Sequence, residues 1–346
     1  MNGGMVSKIQ TSSKHIIMRR KIFMAGILAA GLLLSFAIPR FNLLDQYVQL
    51  VLMYIGINII LTLSLNLVNG YMGEFSLGHA GFMSTGAYIS SLLTVKVFSA
   101  EAGAAIFPLA VASGGIAAAL LGLIVAIPSF RTRGDYLAIV TLAFNVIVKS
   151  VLENIDAVGG ARGFLGMDKL TTLPWTFFWT AASIWLIRNL IYSNFGRGVL
   201  SIREDETAGE LMGVNTRQVK VLVFVVSSFF AGVAGALLAH LIQYINPRSF
   251  DIIKSTEMLV MVYLGGIGSI AGSIIGAVTY TFLLELLRPL EIWRMVIMPL
   301  MLVLLMIFRP RGIMGLREFS WFRPGTDFII TNRLKGAKAD AAAERD

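Results

Sequence analysis

The sequence predicts an all-α polytopic membrane protein, and three observations predict it. Of 346 residues, 56% are hydrophobic and only 14% charged, with a mean hydropathy of +0.75, which is outside the range of a soluble globule. Apolar runs close to the ~20 residues that cross a bilayer core recur along the whole length. No stretch alternates polar and apolar residues at strand length, which argues against a transmembrane barrel. The formal charge of +9 sits in short loops beside apolar segments. That distribution orients a membrane protein and offers no groove to nucleic acid. The absence of cysteine excludes disulfides, thiolate metal sites and cysteine nucleophiles. His15, His79 and His240 lie far apart, so no metal site, cofactor or catalytic residue is expected.

The chain opens with a polar, basic stretch, 1–21, expected in the cytoplasm, and a transmembrane domain is expected over 22–308. The first apolar segment, 22–38, has no small-residue cleavage site before Pro39 and Arg40, so it reads as an uncleaved span. Further spans are expected at 47–68, 75–97, 104–127, 136–152, 175–191, 219–243, 257–287 and 291–308. If the first six each cross once, the basic 131–133 loop and a polar island at 196–220 both fall inside, as the positive-inside rule requires. The tail, 309–346, carries Arg309, Arg311, Arg317 and Arg323 and belongs inside as well, which demands an even number of crossings. Segment 257–287 resolves the parity. As one helix it would reach about 45 Å, too long for the ~30 Å core, and Gly265-Gly266-Ile-Gly268 interrupts it. Split in two, it brings the count to about ten crossings, with about eight as the fallback. The tail holds an aromatic Trp321-Phe322 pair suited to headgroups and ends KADAAAERD, expected to be disordered.

A second glycine-rich interruption precedes the third span: Gly70, Gly73, Ser76, Gly78, His79 and Gly81. Four glycines so close together argue against a plain helix. Freed backbone at membrane depth is tolerated where protein covers it or where it lines a wet cavity. Breaks at similar places in two halves point to a transport pathway. The two breaks lie before and after the polar island, so two related halves are expected to face each other. Candidate pathway residues are Gly73, Ser76, Gly78, His79 and Gly81 in the first break and Gly265, Gly266, Gly268 and Ser269 in the second. Close packing is the competing reading at both. For the stripes Gly114, Ala118, Gly122, Ala126 and Gly268, Gly272, Gly276, packing is the expectation.

The island itself carries Arg197, Arg203, Glu204, Asp205, Glu206, Glu210, Arg217 and Lys220. Ser201-Ile-Arg-Glu204 reads as a capping box, the acids after it suit a first helical turn, and Gly213 supplies a stop. Ala208, Leu211 and Met212 share one face at helical spacing, with Arg203, Glu206 and Glu210 on another. A short amphipathic helix outside the membrane is expected, and its small apolar face needs a cover. A partner protein is inferred to supply it.

No G-x-x-x-x-G-K-[ST] loop occurs, so if ATP drives this protein another chain binds it. Glu74, Glu153, Glu257, Glu285 and Glu291 all lie at span ends, and no acid falls mid-span. That counts against a proton-coupled carrier. Lys149 is expected to snorkel to the headgroups, His79 to make a structural hydrogen bond, Asn145 to bridge helices and His240 to sit at the interface.

Six ordered blocks carry a family resemblance. They are Gly73-Glu-Phe-Ser76-Leu77-Gly78-His79-Ala80; Arg133-Gly134-Asp135-Tyr136 through Leu142; Ile202-Arg203-Glu204-Asp205-Glu206 through Gly213; Phe230-Ala231-Gly232 through Leu237; Leu264-Gly265-Gly266-Ile-Gly268-Ser269; and Arg309-Pro310-Arg311-Gly312 through Gly315. Together they resemble the LivM-type permeases of branched-chain amino-acid ABC importers. The resemblance implies a subunit of a bacterial inner membrane, with both termini cytoplasmic. It also implies a second homologous permease, two cytoplasmic ATPases, a periplasmic or extracellular solute-binding protein and surrounding membrane lipid. The 202–213 helix would then be the one that docks into an ATPase groove, with Arg203, Glu204, Asp205, Glu206, Ala208, Leu211 and Gly213 coupling the two. Two departures stand out. Val146 and Lys149 replace a Glu–Arg pair common in the family, and Gly159-Gly160-Ala161-Arg162-Gly163 replaces Gly-Gly-Pro-Asn-Gly. The resemblance points to import of leucine, isoleucine or valine. A related permease for urea or short amides and a stand-alone secondary carrier are the competing readings.

Overall fold

The computed structural model describes residues 26, 28–97, 103–131, 136–290, 293–308, 312–315, 318–319 and 322. The expectations for the 1–21 segment and for the end of the tail fall outside them. The described chain is helical apart from one pair of two-residue strands, β1 (Phe164–Leu165) and β2 (Tyr244–Ile245), joined antiparallel. The helices are α1 (Leu28–Arg40), α2 (Gln46–Asn66), α3 (His79–Leu92), α4 (Gly103–Ser129), α5 (Tyr136–Asn154) and α6 (Leu173–Ile191). After α6 come α7 (Asn194–Glu204), α8 (Glu206–Leu211), α9 (Thr216–Ile242), α10 (Ile252–Gly265), α11 (Ile270–Leu286) and α12 (Trp293–Phe308).

Among the described residues four helical stretches are long and apolar enough to cross a membrane: Gln46–Met72, Ile106–Ser129, Tyr136–Asn154 and Thr216–Ile242. The stretches differ in where they sit. About two thirds of the apolar window of α9 is buried (67%), 61% of that of α2, and only 22% of that of α5. So α2 and α9 form the spine and α5 lies at the periphery, its Ile139, Val146, Ile147 and Val151 facing outward. A soluble protein would not leave such stripes uncovered; a lipid-facing one does so by design of its solvent.

The spine is tight because small residues let backbones touch. A Cβ on Gly86 of α3 would lie 2.1 Å from the Gly232 carbonyl oxygen of α9, and one on Gly235 would lie 1.9 Å from that of Met83. Gly114 of α4 closes against Gly86, and Ala118 and Ala126 are fully buried. The α10–α11 contact is built alike, Gly265 against Gly272 and Gly276. Packing is therefore the role of the first stripe and of Gly272 and Gly276 in the second, while Gly268 lies in the break itself. Polar side chains add hydrogen bonds between helices: Asn58 Nδ2 donates to Thr281 Oγ1 at 2.9 Å, and Ala80 N donates to Ser255 Oγ at 3.2 Å.

Two expectations about local structure are corrected. Segment 257–287 does divide at its glycines, but α10 begins at Ile252, where the Asp251 carboxylate accepts from the Ile252 amide at 2.6 Å. The island is not one capped helix from Ser201. Ser201 sits inside α7 and its hydroxyl donates back to the Gly198 carbonyl at 2.8 Å. The caps are Ser193 for α7 and Asp205 for α8, the latter accepting from the Ala208 amide at 3.0 Å. Aspartate in extended backbone (φ −161°) is a stronger N-cap than a serine with a carbonyl of its own helix in reach. Gly213 does end the helix, with φ +86°.

Candidate functional site

Both glycine breaks and the polar island converge at one end of the bundle. After Asn66, α2 widens into a π-turn, Leu67–Met72, and the chain then runs without regular structure to Gly78 before α3 starts. A π-turn leaves the regular ladder and is common at functional sites. The second break, Gly266–Ser269, joins α10 to α11 beside it. Asn66 ties them together. Its Oδ1 accepts from the Gly268 amide at 2.9 Å, and its Nδ2 donates to the Ser269 carbonyl at 3.0 Å and to Ser273 Oγ at 2.7 Å. The approach depends on Gly70, whose added Cβ would lie 1.9 Å from Asn66 Oδ1 and 2.4 Å from the Gly268 nitrogen.

The freed carbonyls of α10 are satisfied by the tail. The Ile313 amide donates to Leu264 O at 2.9 Å and the Met314 amide to Gly265 O at 3.0 Å. Glu318 receives the Ile270 amide at the start of α11 and the Tyr71 hydroxyl. Burial raises its carboxyl above the usual carboxylate range. Thus Ile313, Met314 and Glu318, beyond α12, cap the second break.

Arg203, at the end of α7, reaches this junction. Its Nη1 donates to the Gly70 carbonyl at 3.3 Å, its Nη2 pairs with Glu204 at 2.7 Å, and its side chain lies against Gly73. A Cβ on Gly268 would meet Nη1 at 2.9 Å. A second tie runs through Lys220 of α9, whose Nζ holds Glu74 at 2.6 Å and Glu206 at 2.8 Å. The island is therefore bonded to the first break at two points. Meanwhile Ala208 is exposed, and Leu211 and Met212 are each 85% exposed. The apolar face expected from the sequence is uncovered in the chain by itself.

The remaining predicted residues divide between the junction and the core. Ser76 is buried, its amide donating to Asn69 Oδ1 at 3.2 Å while its hydroxyl lacks a partner among the described residues. Gly78 closes on the Thr141 carbonyl, and Gly81 packs on Asn145. His79 is buried, with Nε2 3.1 Å from Ser64 Oγ and 3.4 Å from Ser227 Oγ, a structural bond across α2, α3 and α9 as expected. Asn145 is buried, but its Oδ1 has no partner among the described residues, so the expected bridge from that atom is absent. His240 is not interfacial: it is fully buried, bonded to Thr94 Oγ1 at 2.9 Å and edge-on to Phe107. Lys149 does not reach out to headgroups, because Asp251 offers a carboxylate at 3.1 Å. It is thereby given an ion pair on another element in place of the one missing from its own helix. The sequence reading passed over Asn66 and Glu318, and named Gly70 and Lys220 without giving either a contact. An Asn inside an apolar span was the available signal for the first.

A multi-pass helical chain with two glycine breaks joined to a short helix that exposes an apolar face is built as the membrane component of a transport system. Residues 47–307 match the family described as branched-chain amino acid transport system / permease component, and the chain belongs to that family. It is 31% identical to the high-affinity branched-chain amino acid transport system permease protein LivM of Escherichia coli K12, over 86% of this chain and 75% of the relative. To the probable LivM permease of Methanocaldococcus jannaschii it is 25% identical, over 69% of this chain and 81% of the relative. The LivH permease of Salmonella typhimurium is also similar, at 29% identity over 58% of this chain and 65% of the relative. No solved structure matches.

Proposed function

We propose that this chain is a permease subunit of an ABC importer that passes leucine, isoleucine or valine across a bacterial inner membrane. Residues 22–308 form its transmembrane domain with about ten crossings, and the island and both termini are cytoplasmic. A second, homologous permease completes the pathway, two ATPases bind below, and a solute-binding protein delivers from outside. The substrate follows the relatives, which are named for branched-chain amino acids.

One observation carries the mechanism: Arg203 bonds the Gly70 carbonyl at 3.3 Å while the helix that follows it leaves Leu211 and Met212 bare. An ATPase seated on that face grips α8. Its closure pulls α7 and Arg203, which sit against both glycine breaks, and the breaks part to open the inner end of the pathway. Two discrete arrangements of a packed junction are what such coupling needs. Gly73, Ser76, Gly78, His79 and Gly81, with Gly265, Gly266, Gly268 and Ser269, belong to this inner gate and its support.

The test replaces Glu204 and Asp205 with Lys in the assembled transporter. ATP hydrolysis should persist while leucine uptake is lost, and the complex should still insert in the membrane. Uptake at the wild-type rate would refute the coupling role.

A further inference from the structure

At the end of the bundle away from the glycine junction, a cavity of about 670 Å³ opens between α2, α10 and α11, with Met83 and Leu238 contributing from α3 and α9. Along α2, Tyr47 at its rim and Gly70 at the junction are about 35 Å apart at 1.5 Å per residue, so the two features occupy opposite ends of the same helices. Its deeper wall is apolar, from Ile57, Met83 and Val260, with the bonded Asn58–Thr281 pair beside them. Its rim is ionic. Lys254 holds Glu257 at 2.7 Å, each about 30% exposed, and Arg288 lies 3.8 Å from Glu285.

We propose that this cavity seats the free solute on its way through, and that the solute class it takes is a zwitterionic α-amino acid with an aliphatic side chain. The proposal rests on the importer reading above and assigns that reading a place in this chain. Two cations and two anions line the cavity, so the wall is neutral. An arriving zwitterion can exchange ion-pair partners, its carboxylate to Lys254 and its ammonium to Glu257. No net charge is then buried, whereas a solute of net charge leaves one uncompensated. The aliphatic side chain falls on the Ile57, Met83 and Val260 wall, where it displaces water from apolar surface. A urea-sized amide would reach neither charge and wall together.

The chain's lack of cysteine makes a direct test clean. Thr256→Cys, between the two rim charges, is placed in the fully assembled transporter in vesicles, and its modification by a membrane-impermeant thiol reagent is read as a mass shift on this chain. Millimolar leucine should slow modification, while lysine, glutamate and urea should not. Adding Glu257→Gln should raise the protecting leucine concentration about tenfold or more, the loss of one charge-assisted bond. Leu284→Cys on the facing helix reports the same protection should Thr256→Cys fail to assemble. Leucine uptake by the wild-type assembly is measured beside it. Uptake without protection, protection by lysine or glutamate equal to that by leucine, or slowing by added phospholipid alone overturns the cavity and leaves the importer reading standing. An assembly that carries no leucine overturns both.

Discussion

Asn66 Oδ1 accepts the Gly268 amide at 2.9 Å, across more than two hundred residues of sequence, and this one bond closes the two glycine breaks against each other. The same side chain donates to Ser269 and Ser273. Removing it by Asn66→Ala strands the part-buried Gly268 amide, at about 1–3 kcal/mol for an unsatisfied group, while the Ser269 carbonyl keeps the Ser273 amide and hydroxyl as donors. The assembled transporter should melt at lower temperature, and vesicles carrying it should leak leucine without ATP. Unchanged melting and no leak would show that the breaks are held by other contacts.

Gly70 and Gly198 make a matched pair. At Gly70 a methyl would intrude 1.9 Å from Asn66 Oδ1, whereas at Gly198, inside α7, it meets Val214 at 3.4 Å and Val219 at 3.9 Å, ordinary side-chain contacts. Gly198→Ala should be neutral or stabilise by up to about 1 kcal/mol, since it removes a glycine from a helix interior. Gly70→Ala should abolish uptake and lower the yield of folded protein. Equal behaviour of the two variants would contradict the close approach.

The exposed face of α8 separates stability from assembly. Leu211→Glu and Met212→Glu alter side chains that touch little in this chain, so its own stability should shift by no more than about 0.5 kcal/mol. Capture of the ATPase subunits should fall at least about tenfold, the loss expected of an interface anchor. Full retention of the ATPases would mean that they dock elsewhere.

Asp251 makes a pH prediction with a definite sign. The Ile252 amide, and after it Lys149, hold its carboxyl below the usual carboxylate range. A depressed folded-state value contributes stability above the unfolded value of about 3.9 and loses it as pH falls through the folded one. Wild type should therefore melt above Asp251→Asn by a constant margin at neutral and mildly acidic pH. Below about pH 4 the two should converge. A margin that widens in acid would reverse the assignment.

Much of this was legible along the chain. Four of the spans were, those near 47–68, 104–127, 136–152 and 219–243, because a bilayer demands length and apolarity of each segment independently. Splitting 257–287 at its glycines was correct for the same reason. The bare face of Ala208, Leu211 and Met212 was legible too, since helical spacing alone decides which residues share a side. The capping box was not: Ser201-x-x-Glu204 satisfies the pattern, but Asp205 competes for the cap one turn later, and three-dimensional placement chose it. His240 and Lys149 were misjudged together, because Thr94 and Asp251, their partners, lie far away in sequence.

The amino-acid order by itself determined that the chain is a bundle of membrane helices with two weakened points and one uncovered amphipathic segment, because hydropathy and local periodicity are properties of neighbours. Only the tertiary structure decided that the weakened points touch, that Asn66 and Arg203 hold them, and that the far end is hollow and charge-balanced. Those are contacts between segments that share no local signal, and they form only once packing has set the distance between them.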